Sequence, residues 1–209
     1  MKFIKENYQK FYGNVEHESS YGKPGKIVTL IPEHRQGGSV LDLGAGDGRH
    51  SLFLASKGFD VKAVDVSEAG LEKLKRFAAA EQLDIKTLVE DLAAWSIDGS
   101  YDVMVATSIL QHLPTGQAMR LLRDMQTHTN PEGLNAISLF TKNSERYNLD
   151  REEDPEAFYP EEGWLKDFYK DWDILDHQTY EAELIGKTHP DGSPMKNLME
   201  RILARKPQL

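Results

Sequence analysis

The chain has 209 residues, enough for one hydrophobic core and short of two ordinary domains. Its 34 acidic and 25 basic residues give a net charge of −9, which opposes nucleic-acid binding, and the 39% of hydrophobic residues hold no run long enough to span a bilayer. With no cysteine, disulfides, thiolate zinc sites and a cysteine nucleophile are excluded.

The first residues, Met1 to Asn7, are charged and lack the apolar core of a signal peptide, so a cytoplasmic protein is expected. Residues 1–38 read as a helical or irregular cover, closing with Pro32 and Gly37-Gly38, and residues 39–209 as one globular unit. From residue 39 strands and helices alternate, which predicts an α/β fold with a mostly parallel sheet covered on both faces. The first strand is expected at about 39–43. A helix follows at about 47–57, with Leu52, Phe53 and Ala55 inward and Gly58 as its stop. The second strand spans about 60–65. Leu71, Leu74, Phe77 and Ala78 give residues 68–82 helical spacing, while Lys73, Lys75 and Arg76 read as a solvated face. Strands are expected at 85–89 and 101–106, and a helix at 115–128 carrying Met119, Leu122 and Met125. Asn130 to Gly133 reads as a turn before a strand at 134–140. Residues 142–160 are polar, with Pro155 and Pro160, and read as a lid or substrate loop, or as a plain surface loop. A helix at 161–172 and strands at 172–184 and 198–204 complete the chain. The turn at 189–194 makes those last two strands an antiparallel hairpin.

The most informative stretch is Ser39 to Gly48. Val40, Leu41 and Leu43 form a strand that runs into Gly44, Gly46 and Gly48, and a helix opens at Arg49. Such a turn lets the backbone approach a ligand closely, with N–H groups pointing outward. Dinucleotide-binding proteins use G-x-G-x-x-G in this place; here the spacing is G-x-G-x-G, and Asp42 stands two residues ahead of it. A carboxylate there repels a pyrophosphate and suits a cationic or amine-bearing ligand. An ordinary strand–helix turn is the plain alternative. About 20 residues further on, where a ribose-binding acid is expected, the second strand ends in Asp65. Asp65 also reads as a capping acid for the helix beginning at Ser67-Glu68.

Asp42-Leu43-Gly44-Ala45-Gly46-Asp47-Gly48 resembles motif I of the class I S-adenosylmethionine-dependent methyltransferases, whose ligand carries a sulfonium and an ammonium. The resemblance covers roughly residues 39–206. It implies a doubly wound, seven-stranded Rossmann-like sheet with an antiparallel last strand, and S-adenosylmethionine as cofactor. It sets Gly44, Ala45, Gly46 and Gly48 beneath the methionine part, Asp42 among the cofactor-binding residues, and Asp65 with Val66 at the ribose. Asp91, or Glu90 beside it, and Leu92 would meet the adenine. Thr107, Gln111 and His112, within the segment that ends Leu110 to Pro114, would lie along the cofactor. Gly48 to Leu52, Gly133-Leu134-Asn135, Glu162 to Leu165 with Tyr169 and Trp172, and Leu203 to Lys206 resemble the tellurite-resistance branch of that family. Two departures weigh against metalloid specificity: Ala45 stands where the branch has cysteine, and Gly186-Lys187 where it has a His-Arg pair, with His189 near but out of register.

These resemblances imply an enzyme that methylates a small-molecule acceptor. Methylation of tellurite or selenite, a nicotinamide-dependent oxidoreductase and a non-catalytic cofactor-binding module are the alternatives. His112 is the candidate base, with His177 and His189 as further candidates by type; each has a structural role as its alternative. Tyr8, Tyr12, Tyr21, Tyr147, Phe158 and Tyr159 flank the open side of the pocket in the family layout, as water-excluding walls or as packing. No metal ligand set, nucleic-acid partner or membrane partner is expected.

Overall fold

The structure, a computed structural model, describes residues 8–13 and 22–208, apart from the side chains of residues 153 and 184–187. Tyr21 and the side chains of Gly186-Lys187, both singled out above, lie outside the described residues. Ahead of the sheet, residues 8–12 are helical, followed by the short helices α1 (Lys26–Thr29) and α2 (Ile31–His34). Then come β1 (Gly38–Leu43), α3 (Arg49–Ser56), β2 (Phe59–Asp65), α4 (Glu68–Ala80) and β3 (Ile85–Val89). The second half holds β4 (Tyr101–Thr107), a helical turn at Leu110–His112, α5 (Thr115–His128) and β5 (Thr129–Phe140). After α6 (Glu145–Glu153) and α7 (Trp164–Phe168), the hairpin β6 (Asp173–Thr188) and β7 (Pro194–Arg205) ends the chain.

The seven strands form one sheet in the order β3-β2-β1-β4-β5-β7-β6. Neighbours from β3 to β5 run parallel, and β7 is antiparallel to both β5 and β6, the topology expected from the alternation and the closing hairpin. Val40, Leu41 and Leu43 on β1 and Val103 to Ala106 on β4 have no solvent exposure, as central strands covered on both faces require. One face packs Val40, Val61 and Val103 against Ile27, Ile31 and Leu54 of α1–α3. The other packs Leu41, Met104 and Ile137 against Leu121, Leu122 and Met125 of α5. Each such leucine, removed fully from water, contributes about 2 kcal/mol. On α4 the Ser67 hydroxyl caps the helix by accepting the Gly70 N–H at 3.2 Å. The order reverses between β1 and β4, and the crevice at their carboxyl ends is where such sheets hold ligands.

Several elements differ from expectation, each for a local reason. Lys73 is not on a solvated face: it is 1% exposed and paired with the equally buried Asp47 at 3.3 Å. On α3 the fully buried apolar residue is Leu54, with Leu52 and Phe53 only partly covered. The turn at Asn130–Gly133 lies inside β5 as a bulge: Glu132 has φ 60°, and the register with β4 jumps from Tyr101–Thr129 to Val103–Leu134. Residues 142–160 are not a plain loop but carry α6, which has no apolar stripe to betray it. An Arg146–Asp150 pair at 2.8 Å and the Arg146 N–H bonded to Asn197 Oδ1 hold it in place. The helix expected over 161–172 shortens to Trp164–Phe168, and backbone pairing carries the hairpin beyond its apolar core, out to Thr188–Pro194. No helix among the described residues is long and apolar enough to cross a membrane.

Candidate functional site

A cavity of about 840 Å³ opens over the carboxyl ends of the strands. Gly44, Ala45, Asp65, Val66, Asp91 and Leu92, all expected in the site, line it. So do Thr107, Gln111 and His112. Asp42, Gly46 and Gly48 do not, and the reasons are physical. Asp42 is 1% exposed and accepts the Ser51 hydroxyl at 2.6 Å, with burial pushing its carboxyl up to about 6. It therefore braces α3 against β1 and lies behind the cavity wall. At Gly46 a Cβ would overlap Tyr12 Oη, and at Gly48 it would overlap Leu74 Cδ1. All three glycines admit neighbours, Gly44 (φ 74°) the Ile109 side chain, and Gly44 alone of the three lines the cavity.

The loop's amides also depart from the expected outward aim. Gly44 and Ala45 donate to the Val64 carbonyl at 2.8 and 3.1 Å, Gly46 to Asp65 Oδ2 at 2.8 Å, and Gly48 to the Ala45 carbonyl at 3.0 Å. A loop with these four amides spent is not an anion nest. The negative charge at this end comes from Asp65 and Asp91, which line the cavity, while Asp47 lines it with its charge paired to Lys73. Asp65 joins the loop to α4, since its other oxygen accepts the Ser67 N–H at 2.8 Å. Burial raises its carboxyl above the ordinary range, against the pull of those amides. Asp91 Oδ1 accepts the Ala93 N–H at 3.0 Å, with the buried Leu92 beside it.

Two histidines lie in the wall, His50 buried and His112 partly exposed. His112 Nε2 is 2.9 Å from Tyr8 Oη and 3.1 Å from Gln111 Nε2, whose amide group also donates to the Ser108 carbonyl. Both neighbours are donors, so Nε2 is the unprotonated nitrogen. Burial lowers His112 to about 4. Gln111 Oε1 is buried in the same wall and accepts no hydrogen bond among the described residues. His50 is the residue the motif reading missed, because only the fold carries it to β4. Its Nε2 accepts the Gly25 N–H at 3.2 Å, so Nδ1 bears the proton and donates to Thr107 Oγ1 at 3.1 Å. The Thr107 hydroxyl is thereby left to donate into the cavity. Burial holds His50 neutral, down to about 3.

The histidines set an expected pH response. In the unfolded chain they take protons below about 6.5, and in the fold only below about 3 and 4, so their stabilisation is complete above pH 6.5 and lost as pH falls. Asp42 acts oppositely, because its raised carboxyl favours the fold as pH drops through about 6. Asp65, also raised by burial, acts with Asp42, so the two histidines set a net loss of stability between pH 7 and 4.5 that the two acids lessen. Urea midpoints should fall accordingly, with His50→Gln flattening the slope and Asp42→Asn steepening it. A slope unchanged in His50→Gln contradicts the assignment.

Of the other candidates, Tyr8 and Tyr12 line the cavity, whereas Phe158 and Tyr159 are 5% exposed within the core and Tyr147 packs on Tyr159. His177 pairs with the buried Glu200 at 2.7 Å and His189 with Glu145 at 2.9 Å, both away from the cavity wall. Among the described residues no three His, Asp or Glu side chains gather as metal ligands would. Arg146 and Arg201 line the far end of the cavity and escaped the motif reading; the alternation Asn197, Met199, Arg201 on β7 was the available signal.

The family model described as tellurite resistance protein TehB matches residues 5–202. The probable S-adenosyl-L-methionine-dependent methyltransferase TehB of Haemophilus influenzae (strain 10810) is 34% identical over 168 residues, 80% of this chain and 57% of its own length. Hemagglutinin 1 of Eikenella corrodens is likewise 34% identical, over 80% of this chain and 54% of its length, so the chain spans little more than half of these curated relatives. The crystal structure of TehB from Haemophilus influenzae superposes with a TM-score of 0.77 at 29% identity, over 97% of this chain and 66% of that one. A match over nearly the whole chain, joined to this sheet order and glycine loop, makes the chain a member of the TehB family, with the Rossmann-like methyltransferase fold.

Proposed function

We propose that the protein binds S-adenosylmethionine in this cavity and transfers a methyl group to a small-molecule acceptor. The observation that carries the reading is Asp65, a buried carboxylate anchored by two amides and facing the cavity beside a glycine loop whose own amides are spent. The names of the Haemophilus relatives support it. The residues fit the cofactor's chemistry. Gly44 and Ala45 pass beneath the methionine part, Asp65 receives the ribose hydroxyls, and Asp91 with Leu92 receives the adenine. Gln111 Oε1, buried without a partner among the described residues, accepts an N–H from a ligand.

When bound, S-adenosylmethionine supplies an activated methyl group, so the protein's part is positioning and electrostatics. Tyr8 and Tyr12 exclude water from one side of the cavity. His112 Nε2, neutral near pH 7, takes the proton of a hydroxyl or amine acceptor that displaces the Tyr8 hydroxyl from it; an acceptor already anionic at its attacking atom needs none. Thr107, oriented by His50, donates into the site. Residues 39–209 form the cofactor-binding unit and residues 1–38 its cover, and the chain works in the cytoplasm. The family's description favours a second reading, methylation of tellurite or selenite, against which Ala45 and Gly186-Lys187 stand.

Calorimetric titration with S-adenosylmethionine, S-adenosylhomocysteine and NADH tests the reading. The adenosyl pair is expected to bind at micromolar concentration, about −8 kcal/mol. Binding of NADH alone makes the protein an oxidoreductase, and adenosyl binding without turnover across an acceptor panel makes it a non-catalytic module.

A further inference from the structure

Beyond the aspartates of β1–β3, the cavity runs over one face of β5, β7 and β6. Register pairs Ser138 with Arg201, Phe140 with Met199 and Met199 with Tyr180, and alternate residues of each strand share that face. Arg201 is 8% exposed; its Nε donates to Asp176 Oδ2 at 3.1 Å, one Nη to Gln178 Oε1 at 2.7 Å, and its guanidinium stands 5.6 Å from the Tyr180 ring centre. Arg146 reaches the same end from α6, with Nε on Asp150 Oδ2 at 2.8 Å and its guanidinium 5.7 Å from the Phe140 ring centre. Both arginines line the cavity, whereas Asp150 and Asp176 do not. Each acid therefore holds its arginine from behind while the guanidinium faces inward. Glu183, exposed at the rim, is the acid on this side.

We propose that this end is the acceptor subsite, and that the acceptor is an organic acid whose carboxylate meets Arg146 and Arg201 while its apolar body lies against Phe140, Met199 and Tyr180. The inference rests on the methyltransferase reading of the same cavity. Planar guanidinium groups fixed at one edge are preorganised for a carboxylate. Each is already half-neutralised by its aspartate, which suits a monoanion over a dianionic phosphate. The apolar and aromatic walls beside them gain nothing from a small inorganic oxyanion and much from a hydrocarbon body. Lys26 and Arg49 also line the cavity, so the two arginines are told apart from these by their aspartate anchors and by the apolar walls beside them.

The test is calorimetry on the full chain loaded with S-adenosylhomocysteine, using matched pairs as probes: phenylacetate with phenylacetamide, and octanoate with octanamide. Tellurite, selenite and phenyl phosphate form the remaining arms. The acids should bind at least tenfold tighter than their amides. Arg146→Met and Arg201→Met should erase that preference and leave S-adenosylhomocysteine affinity unchanged. Should a methionine variant fail to fold, Arg146→Lys and Arg201→Lys, which keep the charge and lose the fork, should weaken acid binding severalfold. Equal binding of acid and amide, an acid preference that survives the variants, or binding of tellurite, selenite or phenyl phosphate in place of the acids overturns the proposal. A wild-type chain that ignores S-adenosylhomocysteine overturns the methyltransferase reading instead, and the acid preference is then read on the unloaded chain.

Discussion

Asp65→Ala is expected to lower the affinity for S-adenosylhomocysteine by about 100-fold, the equivalent of roughly 3 kcal/mol from two charge-assisted hydrogen bonds to the ribose. The substitution acts on the protein as well. It leaves the Gly46 and Ser67 amides without their acceptor in a buried place, at about 1–3 kcal/mol each, partly offset by removing a carboxylate whose ionisation burial opposes. Asp65→Asn separates the two effects, because it retains one acceptor oxygen and loses the charge. The alanine variant should lose affinity and thermal stability together, and the asparagine variant chiefly affinity. Calorimetry beside thermal unfolding reads both. Alanine-variant affinity within threefold of wild type removes Asp65 from the ribose site.

Gly48→Ala is the substitution expected to harm the fold most. Gly48 has φ 91° at the start of α3, a conformation that costs a residue with a side chain about 1–2 kcal/mol. Its new methyl would overlap Leu74 Cδ1 and lie 2.9 Å from Leu74 Cγ, and Leu74 has no exposed surface through which to retreat. Overpacking of that kind adds about 1–3 kcal/mol. The sum, about 2–5 kcal/mol, is a large part of the 5–15 kcal/mol that separates a typical domain from its unfolded state. Gly58→Ala is the internal control: φ is 86°, but nothing among the described residues lies within 4 Å of the new methyl, so only the backbone cost remains. Urea midpoints should rank wild type, Gly58→Ala and Gly48→Ala in falling order. Equal midpoints for the two variants would show that the space behind Gly48 is not tight.

What the residue pattern disclosed and what it hid divide along a physical line. Runs such as Val103–Ala106, and the helical spacing of Leu71, Leu74 and Ala78, report burial directly, so the strands, the sheet class and the strand-end residues Asp65 and Asp91 were legible. Side chains whose surroundings come from distant sequence were not. Lys73 has the spacing of an exposed lysine, and only the approach of the glycine loop buries it against Asp47. Asp42 precedes the glycines in sequence, yet β-strand alternation turns it toward Ser51. The helix α6 carries no hydrophobic periodicity, so Arg146 could not be assigned to a face before the fold showed what α6 packs on. His50 acquires its meaning from Gly25 and Thr107, 25 and 57 residues away in the chain.

The stacking of Tyr12 over Gly46 ties two equilibria together. Tyr8, Phe11 and Tyr12 form part of the cavity wall, so a molecule that fills the cavity gains contact surface from residues 8–12 and confers the same free energy on their docking. Reciprocity makes the two quantities equal. Occupancy of the cavity protects this helical turn from proteases and hydrogen exchange by the factor that the turn, in place, adds to the ligand's affinity.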